Sequence, residues 1–258
     1  MGSRFSSLGR VAEPLVSGLW IIFLLWSGWI ACVWSFPIGD AAIERWVGNR
    51  DLRAALEWII AIGDFAWITL AAAVIHLWVA ENEGLPTARR WALTVCGGVA
   101  AMGALSALSG FPLGEIEYSR QLGAKAGPVP LGLPLLWFAL LIGARQTVLR
   151  WWPGAGQLGL ALGTGALVVL ADFNIEPVAA KVRGFWFWRA ESPALPPHFA
   201  PPWGSYAAWF VASSALAFAL REEHVAVGSR DKAFRPVALF VLMNAVFLAA
   251  NIGLRIRG

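Results

Sequence analysis

Apolar residues along this chain fall in long, nearly uninterrupted blocks separated by short polar, glycine- and proline-marked breaks. A bilayer core about 30 Å thick takes roughly 20 apolar residues per helix, and the pattern predicts seven spans. The first block covers about residues 15–36 and stops at Phe36-Pro37-Ile38-Gly39-Asp40. A polar, amphipathic stretch with Glu44, Arg45, Arg50, Asp51 and Arg53 leads to a second block, about 54–80, closed by Glu81-Asn82-Glu83-Gly84-Leu85-Pro86. The third, about 90–108, carries Gly97, Gly98, Ala101 and Ala104, small residues that let helices approach closely. After a polar, glycine-rich stretch from 110 to 127, the fourth block (about 128–149) opens with Pro128, Pro130 and Pro134. Proline suits a first helical turn, whereas Pro134, lying deeper, predicts a kink. Pro153-Gly154 breaks the chain before a fifth block, about 157–171, which is short for a span and is expected to run on. Residues 172–205 mix acids, bases, prolines and aromatics and read as an interfacial or re-entrant segment. A sixth block covers about 206–220, a charged loop 221–235, and a seventh block about 236–254, ending in Arg255 and Arg257.

The blocks and their loops use nearly all of the chain. The expected architecture is therefore one all-α domain over residues 1–258, a polytopic transmembrane helix bundle of the cell (inner) membrane. Composition agrees: charged residues are 14% of the chain, against about 25% in soluble domains, too few to coat a water-soluble globule. Arg4 and Arg10 before the first block resemble a signal peptide, but the block is too long for a signal core and no small-residue cleavage site closes it. Trp29-Ile30-Ala31-Cys32 has Trp where a lipoprotein site does not take it. A retained first helix is expected.

The net charge of +4 invites a nucleic-acid reading. The basic residues, however, are scattered singly at block ends, the ordinary flanks of membrane spans, so nucleic-acid binding is excluded. Lys and Arg divide about evenly between the two sides of a seven-span topology, so charge bias does not orient the chain. Parity puts the loops after spans one, three and five on one side. Cys32 and Cys96 lie in apolar blocks and give neither a disulfide framework nor metal-ligand spacing. The sixteen tryptophans fit aromatic belts at both interfaces.

Ionisable residues within spans are costly and are functional candidates by default. Asp64 lies about 15 Å into the second block at 1.5 Å per residue, with Glu57 seven residues earlier on the same face. A buried pairing with arginine is the plain alternative. His76 reads as interfacial, and Asn244 and Asn251 as interhelical hydrogen-bonding residues. The densest group is Asp172-Phe173-Asn174-Ile175-Glu176-Pro177. If the fifth helix continues, Asp172 and Glu176 stack one turn apart. Two carboxyls that close resist double ionisation, which leaves a protonated acid beside an ionised base. The alternative is an interfacial helix end whose acids pair with Lys181 and Arg183. Phosphate loops, histidine clusters, nucleophile elbows and dinucleotide fingerprints are missing from the sequence.

Asp172-x-x-Ile175-Glu176-Pro177-Val178-Ala179, followed by Gly184-Phe185-Trp186-Phe187-Trp188, resembles the carotenoid-biosynthesis membrane proteins that include carotenoid 1,2-hydratases and bisanhydrobacterioruberin hydratase. Gly110-Phe111-Pro112-Leu113-Gly114, Tyr118-Ser119-x-x-Leu122-Gly123, Val129-Pro130-Leu131 with Trp137, and Pro202-x-x-Ser205-Tyr206-x-x-Trp209-Phe210 follow in order. The likeness covers about residues 100–215. Three positions depart from the family pattern: Gly103 replaces a glutamate, Ile116 a tyrosine, and Ser205 an asparagine.

The resemblance implies hydration of the terminal C1–C2 double bond of an acyclic carotenoid. Protonating such an alkene gives a tertiary cation that water captures, without redox cofactor or metal. Asp172 and Glu176 are then the expected acid–base pair, Tyr118 and Ser205 the groups that position water, and Glu117 a substitute acid. Trp137, Trp186, Trp188, Tyr206 and Trp209 are expected around the substrate, with Asp64 as a separate intramembrane acid. The expected partners are membrane lipid, an acyclic carotenoid and other pigment-pathway or pigment-binding membrane proteins. A non-catalytic carotenoid-binding subunit is the alternative, motivated by Gly103. A transporter using Asp64 as a relay ranks last, since no inverted repeat is evident.

Overall fold

The computed structural model describes residues 5–36, 47–189, 201–220 and 234–257. Among these, seven α-helices follow one another: α1 Phe5–Ser35, α2 Arg50–Glu83, α3 Leu85–Ser109, α4 Gly132–Trp151, α5 Gln157–Pro177, α6 Trp203–Ala219 and α7 Phe234–Arg257. Four short strands complete the described structure: β1 Ile116–Tyr118, β2 Lys125–Ala126, β3 Val129–Pro130 and β4 Trp186–Trp188. The first loop (37–46), the prolines between 190 and 200 and most of the charged loop (221–233) lie outside the described residues, as does the side chain of Glu57.

The chain is an all-α polytopic bundle. Six helices contain stretches long and apolar enough to cross a membrane: Pro14–Ser35, Ile62–Glu83, Leu85–Ser109, Gly132–Trp151, Gln157–Arg183 and Phe234–Ile256. The remaining helix, α6, has 17 residues, the short end of the spanning range of about 17–25. The outer face of α3 presents Leu93, Leu105 and Leu108 to the surroundings, an arrangement that hydrocarbon satisfies and water does not.

Helix α4 occupies the centre, packed against α2, α3, α5, α6 and α7. Apart from Arg145, Gln146 and Thr147 it is apolar over its buried length, and it is buried almost throughout, as expected of an interior helix. Because lipid tails solvate apolar side chains as well as leucine does, helix association in a bilayer relies on close packing. Glycines supply it here. A Cβ on Gly143 would lie 3.0 Å from the Pro236 carbonyl oxygen of α7, and one on Gly98 would lie 2.8 Å from Leu216 of α6. Of the two glycines anticipated in α3, Gly98 makes this approach and Gly97 faces open space.

One boundary differs from expectation and another follows it. Val129 and Pro130 belong to the β2–β3 hairpin, so α4 starts at Gly132 and Pro134 sits in its first turn, where no kink follows. Helix α5 does continue beyond residue 171. It carries Asp172 and Glu176 within the helix, so the irregular segment begins only after Pro177. Pro177 lacks an N–H, which breaks the α-helical ladder, and the backbone widens into a π turn over Val178–Arg183. Gly184 ends the turn at φ 60°, a left-handed conformation that glycine adopts without strain, and the chain reverses into β4.

Strand β4 pairs antiparallel with β1, in the register Ile116↔Trp188, Glu117↔Phe187 and Tyr118↔Trp186. Ser119 N–H donating to Phe185 O and Arg189 N–H donating to Glu115 O, both at 2.9 Å, extend the ribbon. The loops after α3 and α5 therefore meet at one end of the bundle, as parity required.

Candidate active site

Side chains alternate across the β1–β4 ribbon. Ile116, Tyr118, Trp186 and Trp188 face inward and are buried, while Glu117 and Phe187 face outward. The two inward indoles close on one target. Trp186 Nε1 and Trp188 Nε1 each donate to Glu176 Oε2 at 3.1 Å. A helix carboxylate is thus clamped by two N–H groups, spaced two residues apart, from the strand that follows it.

Asp172 lies one helical turn before Glu176 and is 1% exposed, against 2% for Glu176 and 3% for Tyr118. Neither oxygen of Asp172 has a hydrogen-bond partner among the described residues, and the same holds for the Tyr118 hydroxyl and Ser205 Oγ. Buried polar atoms are nearly always partnered, which makes these atoms candidates for contact with a ligand or water. Burial, reinforced by the nearby Glu176 carboxylate, pushes the Tyr118 hydroxyl well above its ordinary range, so it remains a protonated donor. Tyr206 lies within electrostatic reach of the same two carboxyls.

Trp137 of α4 and Trp209 of α6 stack with centroids 3.9 Å apart. Each covers one face of the other, and Trp137 Nε1 is buried without a partner among the described residues. Tyr206 stacks on Phe173 at 4.1 Å, with Trp203 at 5.9 Å. Phe173 and Trp203 are exposed on the outer surface. Neither was expected at the site; their one signal in the sequence was adjacency to Asp172 and to the Ser205-Tyr206 motif.

Glu117 is not brought into the cluster. Neighbouring residues of a strand point to opposite faces, so with Tyr118 inside, Glu117 stands outside, 63% exposed and 3.4 Å from Arg189. Asp64 also lies apart from the carboxyl pair. Asp64 lies in the interior of α2 and is buried. Arg183 Nε and Nη2 both reach Asp64 Oδ2 at 2.6 Å, and Trp34 Nε1 donates to Oδ1 at 3.0 Å. Arg183, a candidate partner for the Asp172–Glu176 pair, thus goes to Asp64, and Lys181 is exposed. Asn251 donates across to the Asn174 carbonyl of α5 at 2.8 Å, whereas Asn244 donates to Phe240 O of its own helix. Gly103 points at the site: a Cβ there would lie 3.3 Å from the Tyr118 hydroxyl and 3.2 Å from Leu133.

The sequence profile of a family described as "Carotenoid biosynthesis protein" matches residues 63–257. Bisanhydrobacterioruberin hydratase of Haloarcula japonica is 34% identical over 109 residues, which are 41% of this chain and 35% of that protein. The chain therefore matches about a third of that relative's length. No solved structure matches it.

Proposed function

The chain belongs to the carotenoid biosynthesis protein family, and on that premise we propose that it is a hydratase of the cell membrane, adding water across the terminal C1–C2 double bond of an acyclic carotenoid. The observation that carries the reading is the buried pair of unlike carboxyls: Glu176 held by two indole N–H donors, and Asp172 beside it with none among the described residues.

The roles follow from hydrogen bonding. A carboxylate that accepts two N–H bonds is stabilised in its charged form, so Glu176 is suited to act as base. A buried carboxyl without donors is suited to carry a proton, and Asp172 is the acid. In the forward step Asp172 gives its proton to C2 of the alkene, and the tertiary cation forms at C1. Water held by Tyr118 and Ser205 bonds to C1 through oxygen, and Glu176 takes the proton released. Transfer of that proton from Glu176 to Asp172 restores the starting state. The net change is alkene plus water to tertiary alcohol, with no electron transferred. The outer faces of Trp137 and Trp209 offer π density to the cation, an interaction of about 2 kcal/mol in a desolvated site.

A second reading, a carotenoid-binding subunit without turnover, draws on Gly103. Its position against the Tyr118 hydroxyl lacks the carboxyl that the family pattern places there. One experiment separates the two. The protein is co-expressed with an acyclic polyene pathway, and the extracted pigment is weighed by mass spectrometry. A gain of one or two waters per pigment molecule supports the hydratase. Unmodified pigment co-purifying with the protein, in near-stoichiometric amount, overturns it in favour of the binding subunit.

A further inference from the structure

The buried Asp64–Arg183 ion pair lies outside the carboxyl cluster, yet it grips the segment that builds it. Arg183 is the last residue of the π turn, which starts two residues after Glu176 and ends one residue before the reversal into β4. Both Asp64 oxygens are engaged, one by Arg183 and the other by Trp34 of α1. Trp34 also packs edge-on against Phe185, at 6.0 Å, immediately before Trp186. Two helices remote from the catalytic motif, α1 and α2, therefore hold the C-terminal end of the turn that joins Glu176 to its two indole donors. An ion pair this buried adds little net stability relative to an apolar replacement, and its better-attested use is to fix one arrangement among several.

We infer that Asp64 and Arg183 are positioning residues for the Glu176 carboxylate, locking the π turn so that Trp186 and Trp188 both reach Glu176. The inference rests on the reading of Glu176 as a catalytic base. It also makes α1 a working part of the site through Trp34, although the family match begins only at residue 63.

The test uses full-length protein in lipid nanodiscs, with Asp64→Asn, Arg183→Gln, Arg183→Lys and the double variant Asp64→Asn/Arg183→Gln. Hydration is measured per folded protein. Displacing a catalytic group by about 1 Å costs up to about a hundredfold in rate. The neutral single variants are therefore expected to lose roughly ten- to hundredfold in kcat with KM unchanged. Arg183→Lys, which keeps the charge, recovers most of the rate, and the double variant is no worse than either single one. Independently of turnover, protein carrying 5-fluorotryptophan is examined by fluorine NMR, with resonances assigned through Trp186→Phe and Trp188→Phe. In Asp64→Asn the Trp186 and Trp188 signals are expected to shift or broaden while those of Trp137 and Trp209 hold. Unchanged Trp186 and Trp188 signals overturn the inference, as does a wild-type kcat per folded protein in Asp64→Asn. A wild-type protein that hydrates nothing removes the hydratase reading alone, and the fluorine spectra still decide whether the ion pair sets the indoles.

Discussion

Replacing Trp186 by Phe keeps most of the ring and its packing and removes one of the two N–H groups on Glu176 Oε2. Trp188→Phe does the same for the other. A hydrogen bond to a charged group contributes about 1.5–3 kcal/mol. In a buried site no bulk water replaces the lost donor, so the ionised carboxylate loses roughly that amount. If Glu176 must be charged to take a proton from water, the loss appears in the barrier. At about 1.4 kcal/mol per factor of ten, each single variant should lose roughly ten- to hundredfold in kcat. Phe187→Ala on the outward face of the same strand is the control, and it should retain activity within about twofold, as surface substitutions do. The assay is single-turnover hydration of an acyclic polyene in nanodiscs, followed by chromatography and mass, with monodisperse protein verified for every variant. Full activity in both Trp186→Phe and Trp188→Phe would refute the assignment of Glu176 as a base sustained by its indole donors.

Asp172→Asn removes the proposed proton donor and should abolish hydration with no fall in membrane-inserted protein; activity retained there excludes Asp172 from the mechanism. Glu117→Gln should leave kcat within about twofold, because an exposed ion pair contributes about 0.2–1 kcal/mol and the side chain faces away from the site; a large loss would restore Glu117 as an acid of the reaction. Gly165→Ala should weaken the α5–α6 seam, since its Cβ would sit 2.9 Å from the Phe210 carbonyl oxygen and closer still to Ser214 Oγ. The overpacking is expected to cost about 1–3 kcal/mol, read as a lower midpoint of thermal unfolding in detergent; an unchanged midpoint would show that the seam can spread.

The helices were legible because block length and apolarity are the physical requirements for a bilayer span, and the continuation of α5 followed from the shortness of its apolar stretch. The ribbon was not. Strands of three residues carry too little periodicity to stand out, and the spacing Trp186-x-Trp188 was the single available signal of alternation. Without it, Glu117 and Tyr118 looked equivalent, although adjacent strand residues cannot share a face. Pro134 misled for a related reason: a hairpin absorbed the prolines before it, so the helix began later. A pairing of Asp64 with an arginine was anticipated, but not which arginine it would be. Its partner Arg183 is more than a hundred residues away in sequence, and no local pattern links them.

On the proposed hydratase reading, placing the carboxyl pair at the end of a helix, under a ribbon from two loops, resolves a conflict inherent in hydrating a membrane-soluble alkene. The substrate belongs in hydrocarbon, whereas water and a charged base do not. A site deep in the bundle would leave Glu176 without donors, and one fully outside it would strand the polyene. At the bundle end, α5 still supplies an apolar wall while the ribbon brings the two indole N–H donors of Trp186 and Trp188 to Glu176. The indole suits this position because it presents a single donor on a large apolar ring, so two of them relieve the isolation of Glu176 without adding another charge. That economy predicts that substituting Trp188 by Arg, which offers stronger donors to the same oxygen, lowers activity below that of Trp188→Phe. The guanidinium would hold Glu176 too firmly as an anion to accept and release a proton and would carry a positive charge beside a cationic intermediate. Equal or higher activity in Trp188→Arg than in Trp188→Phe, measured by the same single-turnover assay, would mean that the number of donors alone sets the rate.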